Sequence, residues 1–353
     1  MNLEVQSTHR AGFDEFFVTA IATGAAEARA TFDAIAGALR AHRVEPIAEK
    51  IYGGATAREG ILAARSAALQ SHDLDPALPF TFVDGAPLGG GGFAGVQIQG
   101  VAGGGRPAVR TVPGGRLWQG PGFRALYLAG AHGRAGDCVT MQAEQMFAAA
   151  AAAAKQNRFD YAQTVRTWIY LARLLDWYGE LNRVRSACYR QYDFRLPAST
   201  GIQGRSGDHE CVMDALLVDG VLTHTIDRSR RQGPASAYGS SFSRATELAY
   251  EGGSTVYVSG TASIDGNGHS VHLGDPTAQF VEMVLGVAAV LAETGMGLAD
   301  IRQATLFCKD ARTLLACREA RELLAMPAFP TVCVQADVCR HELLVELEAI
   351  ASR

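Results

Sequence analysis

Three similar units within one polypeptide leave few folds open, and this chain carries such an internal repeat. Near the C-terminus, Cys333 lies thirteen residues before Glu346, on two strand-like runs. In the middle, Gly201 lies thirteen residues before Asp214, in "PASTGIQG" and "VMDALLV". Near the front, Asp84 lies thirteen residues before Gln97, in "FTFVDGAP" and "GVQIQGV". Upstream, "ALYLAG" (125–130) resembles "TVYVSG" (255–260), and "TVRTWIYL" (164–171) resembles "RQATLFC" (302–308). Each unit reads strands, helix, strand, helix, strand, strand. The helices rest on apolar spacings of three to four, as in Phe280, Met283, Val284, Val287 and Val290. Asp275-Pro276 supplies an N-cap followed by proline at the first helical position. The expected fold class is α/β (α+β), with mixed sheets and helices packed on one face of each. The units are placed at 1–115, 116–228 and 229–353.

Composition narrows the function. Hydrophobic residues make up 48% and charged residues 19%, as in globular proteins, and the net charge is −4. The Arg228, Arg230, Arg231 cluster is too short to serve as a nucleic-acid stripe. No apolar run reaches membrane-spanning length. The start "MNLEVQSTHR" lacks an apolar signal core, so a cytoplasmic location is expected. Seven cysteines without CxxC spacing read as free thiols, not as a zinc site. "GGGGFAG" (89–95) fits G-x-G-x-x-G, but the strand-like "VQIQGV" follows it, and a dinucleotide fingerprint must open a helix. "HSVH" (269–272) offers two histidines and no third metal ligand.

The C-terminal stretch "VCVQADVCRHELLVELEAI" (332–350) sets Glu346 among Leu343, Leu344, Val345 and Leu347. A carboxyl group in such a setting keeps its proton near neutrality and can act as an acid. Alternation alone equally suits a wet face carrying Glu342, Glu346 and Glu348. On the repeat spacing, the positions matching Glu346 are Asp214 and Gln97, so only the third unit keeps a glutamate.

The motifs "FRLPASTGIQG" (194–204), "AYGSSFSRA" (237–245), "VYVSGTASI" (256–264) and "FPTVCVQAD…LLVELEAIA" together resemble the chorismatase family. That family joins three RidA/YjgF-like (chorismate mutase-like) domains in a pseudo-threefold arrangement. The resemblance implies a cofactor-free site between the central and C-terminal domains that cleaves chorismate to pyruvate and a benzoate-type acid. It implies a monomer that binds neither nucleic acid nor membrane and holds no metal. The family's catalytic glutamate maps onto Glu346. Cys339 with Gly260 resembles the subgroup that forms 3-hydroxybenzoate, whereas a hydrolytic subgroup forms a dihydroxycyclohexadiene carboxylate. A dianionic substrate calls for arginine forks. Arg244 and Arg205 are the candidates, with Arg185 and Arg318 weaker ones. Ser199, Thr200, Gly201, Thr261, Asn182 and Tyr238 complete the expected substrate contacts. RidA-type imine deaminases have arginine where this chain has Thr331, which disfavours their chemistry here.

Overall fold

The structure is a computed structural model that describes residues 1–85, 87–88, 90–103 and 108–353. Gly89, the first residue of the glycine-rich run, lies outside the described residues.

The chain forms three sheets, each backed by two helices. The first has the order β1-β2-β5-β3-β4, from β1 (Asn2–Arg10), β2 (Phe13–Ile21), β3 (Glu45–Gly53), β4 (Thr81–Asp84) and β5 (Phe93–Ala102). Its helices are α1 (Ala28–Ala41) and α2 (Arg58–Ser71). The second has the order β10-β9-β11-β8-β7-β6, from β6 (Ala108–Val112), β7 (Gly115–Gly120), β8 (Phe123–His132), β9 (Thr164–Leu171), β10 (Ala198–Gln203) and β11 (Cys211–Asp219). It carries α3 (Val139–Gln156) and α4 (Leu174–Gln191). The third has the order β12-β13-β14-β17-β15-β16, from β12 (Leu222–Ile226), β13 (Ala245–Tyr250), β14 (Gly253–Ala262), β15 (Ile301–Cys308), β16 (Thr331–Gln335) and β17 (Val345–Ser352). It carries α5 (Pro276–Ala292) and α6 (Ala311–Leu323). Because β6 and β12 pair into the following sheet, the seams fall before residues 115 and 228.

Local signals place these elements. Asp275 caps α5 by accepting the Ala278 N–H, with Pro276 next in line. Gly90, Gly91 and Gly92 all have φ between 76° and 87° and turn the chain into β5, so a strand and not a helix follows them. Among the described residues no helix is long and apolar enough to cross a membrane.

One face of each sheet packs on its helices, as with Met283, Val287 and Leu291 against Val256, Leu306 and Leu347. The other faces meet one another in a central core containing Tyr52, Tyr127, Trp168, Tyr257 and Phe307. Strands β5, β9 and β17 are therefore buried at every position, and their polar residues face other domains instead of water.

The register corrects the equivalence drawn from spacing. The glycine-ended motifs align Leu128 with Val258, and opposite them stand Ala215 and Ala349. Asp214 therefore corresponds to Glu348, which faces Thr305 as Asp214 faces Trp168 and Gln97 faces Lys50. Glu346 instead faces Phe307, and its counterparts are Val212 opposite Tyr170 and Gly95 opposite Tyr52. The spacing misled for two reasons: the loop before the last strand is shorter in the central unit, and in the first unit the place of Gly201 and Cys333 is held by Phe82, opposite Ile51, and not by Asp84. Gly201 and Cys333 sit at matching places, opposite Ile169 and Leu306.

Candidate active site

The seam between the second and third domains encloses a cavity of about 30 Å³. Tyr178, Arg185, Ser199 and Gly201 line it from the central domain. Tyr238, Phe242, Arg244, Gly260, Cys339 and Glu346 line it from the C-terminal domain.

Glu346 enters from β17, the inner strand between β14 and β15, and is 4% exposed. Burial, reinforced by the neighbouring Glu348 charge and partly offset by Arg166, pushes its carboxyl up to about 8. At neutral pH this group holds its proton. Gly260 explains how the carboxyl fits. A Cβ on Gly260 would fall on Glu346 Oε1 and stand 2.9 Å from its carboxyl carbon. The glycine clears space for the acid itself, on the floor of the cavity.

Two guanidiniums line the same cavity without a carboxylate partner among the described residues. Arg244 is 2% exposed and donates to the Gly233 carbonyl, through Nε (3.0 Å) and Nη2 (2.7 Å). Its guanidinium carbon lies 5.4 Å from the Tyr238 ring centre. Arg185, fully buried on α4, donates to Asn182 Oδ1 and, at 3.5 Å, to Ser199 Oγ, while its Nε has no partner. An unpaired buried cation is costly, so two around one void mark a place for anionic charge.

The remaining candidates divide. Cys339 borders the cavity, and burial beside Glu346 pushes its thiol up to about 12, so it is a neutral S–H. Thr200 lies just behind the floor, its Oγ1 accepting from Gly260 N (3.1 Å) and Arg166 Nη2 (2.6 Å). Asn182 orients Arg185 and does not line the void. Thr261 points the other way: alternation along β14 turns its side chain towards Gly286 of α5. Arg205 does not belong to the cavity. The chain has left β10 at Gln203, and Arg205 lines a separate groove with Asp84, Lys309 and Asp337, half exposed and 3.6 Å from Asp208. Arg318 borders a larger cavity of about 610 Å³ between α5, α6 and the first domain, where Phe280, Cys333 and Thr331 also lie. That cavity lacks a counterpart of Glu346, because its seam carries Gly95 at the matching place.

Sequence reasoning missed Tyr178, Phe242 and the pair Arg166–Glu348. A charged residue inside the apolar run "TVRTWIYL" was the available signal for Arg166. All seven cysteines are free, and Glu342, grouped by alternation with Glu346, sits in the preceding loop bonded to Ser270.

Residues 237–353 match the family described as endoribonuclease L-PSP, the RidA/YjgF domain. In fold the chain resembles a crystal structure of a chorismatase, with TM-score 0.59 at 20% identity over 73% of this chain and 82% of that one. In sequence it is 30% identical over 225 residues to a 3-hydroxybenzoate synthase of Streptomyces hygroscopicus. That match spans 55% of this chain and 65% of the relative, just under two thirds of its length. The fold and the C-terminal domain thus define a three-domain protein of the RidA class. Within that class, its three-sheet fold is similar to that of the chorismatase structure.

Proposed function

We propose that the chain cleaves chorismate to pyruvate and 3-hydroxybenzoate without a cofactor, using Glu346 as the acid. One observation carries this reading: an un-ionised carboxyl and two guanidiniums without a carboxylate partner among the described residues border one cavity. Chorismate brings two carboxylates, which answer Arg185 and Arg244. Its enol ether ends in a methylene carbon, a poor proton acceptor that needs a positioned acid.

In this mechanism Glu346 delivers its proton to the methylene carbon. The adjoining carbon becomes oxocarbenium-like, and the side chain becomes a leaving pyruvate. The ring 4-hydroxyl attacks the neighbouring ring carbon, expelling pyruvate and losing its proton. Opening of the strained ring oxide, with loss of a ring hydrogen as a proton and protonation of the oxygen, gives the phenol. Atoms balance with no water consumed, and the protons released restore Glu346. Cys339, a neutral thiol at the cavity wall, is placed to relay a proton in the opening step.

Chorismate exceeds the present void, so binding requires the wall to open. The segment that carries Tyr238 and Phe242 is tied back by the Arg244–Gly233 bonds and is the part expected to move. Three domains complete the ring within one chain, so a monomer in the cytoplasm is the matching assembly, checked by light scattering. The decisive experiment incubates pure protein with chorismate and separates the products by chromatography. Equal amounts of pyruvate and 3-hydroxybenzoate are expected. Absence of pyruvate removes the reading, and a diene acid in place of the phenol moves it to the hydrolytic reaction.

A further inference from the structure

Glu346 and Glu348 lie two residues apart on one face of β17, and both are buried, at 4% and 5% exposure. Two carboxyl groups so placed cannot both ionise cheaply. Their hydrogen-bond partners differ. Glu348 Oε2 accepts from Arg166 Nη2 at 2.8 Å, whereas the Glu346 carboxyl has no hydrogen bond among the described residues. The same Arg166 nitrogen bonds Thr200 Oγ1 (2.6 Å), which also accepts from the Gly260 N–H (3.1 Å). Glu348, Arg166, Thr200 and Gly260 thus form one connected path to the floor on which Glu346 lies. Behind it, Lys50 of the first domain shares a small cavity of about 20 Å³ with Arg166 and Glu348, its Nζ 3.6 Å from the Trp168 ring centre.

We infer that Glu348 is a positioning residue for Glu346: held by Arg166, its carboxylate biases the neighbouring carboxyl to the un-ionised form, and Lys50 tempers that bias from the first domain. The inference rests on the reading of Glu346 as the proton donor. Other groups around Glu346 are accounted for. Cys339 in the preceding loop is neutral, as are Tyr178 on α4 and Tyr238 before β13. Arg185 and Arg244 line the same cavity, while Arg166 is the cation that favours its ionised form. Opposite it on β14 and β15 stand Ala262 and Phe307, which carry no charge. Among the described residues, Glu348 is therefore the one anion acting on Glu346, set against Arg166. Asp214, on β11, faces Lys50 and belongs to the seam between the first and second domains.

The test is an infrared titration of the un-ionised carboxyl band in the full chain, assigned to Glu346 by its loss in Glu346→Gln. It needs no substrate. Glu348→Gln is expected to lower the transition by about one pH unit or more. Lys50→Met, which removes a cation facing Glu348, is expected to raise it, and it keeps the test alive should the first variant fail to fold. Structural damage does not move one titration in opposite directions. An unchanged or raised transition in Glu348→Gln overturns the role of Glu348, and an unchanged or lowered one in Lys50→Met overturns that of Lys50. Titrations that shift as stated in a protein that does not consume chorismate would preserve the inference and refute the proposed function.

Discussion

Replacing Glu346 with glutamine should make the protein more stable and much less active, and the two effects should separate by pH. The folded-state value of about 8 stands roughly 3.5 units above the ordinary 4.5. A raised value means that the folded protein binds the proton more tightly than the unfolded chain. Its contribution is fully present below about pH 4.5 and drains away as pH climbs to about 8. At about 1.4 kcal/mol per unit, the loss by pH 8 is on the order of 4 kcal/mol. Glutamine does not titrate, so the variant should match the wild type within about 1 kcal/mol near pH 4.5 and exceed it by a few kcal/mol at pH 8. Denaturant unfolding at several pH values reads this difference. Over the same range, kcat for pyruvate release should fall by about 10²–10⁴ in the variant. In the wild type, kcat/KM should decline above about pH 8, as the acid ionises. A variant less stable at pH 8 than the wild type, or one turning over within tenfold of it, would refute the placement of an un-ionised acid at this seam.

Gly260→Ala sets a methyl group on the Glu346 carboxyl, so kcat should drop by about 10²-fold while the fold persists, as circular dichroism and turnover assays would show. Arg244→Ala removes one of the two guanidiniums at the cavity and, on the proposed reading, should raise KM by about 10–100-fold; Arg244→Lys should not restore it. Cys339→Ala should shift the ratio of products on the column, and an unchanged ratio would remove the thiol from the ring-opening step. Arg205→Ala should leave KM within about twofold of the wild type, since Arg205 lies in a different groove.

The repeat was legible because each unit must restate the same strand and helix periods to build the same sheet. Motifs such as "TVYVSG" survive because Tyr257 fills the common core and Gly260 clears the cavity floor. Glu346 was legible for a local reason, an acid set among leucines on a strand. The exact counterparts in the other units were not, because register depends on cross-strand pairing, and loop length between strands drifts freely. Arg205 and Thr261 show the other limit. A sequence fixes which residues neighbour a site along the chain, but the face a strand presents and the point where the chain leaves the sheet decide which side chains reach it. Glu348 was misread as solvent-facing for the same reason: the polar side of its alternation turns towards a partner domain.

Linking three domains in one chain has an evolutionary consequence. In a ring of identical subunits, every mutation appears three times, and a proton-bearing acid favourable at one junction must be tolerated at the other two. Here the corresponding places hold glycine, valine and glutamate. A single gene can thus set one junction apart from the other two, which are free to mutate independently of it.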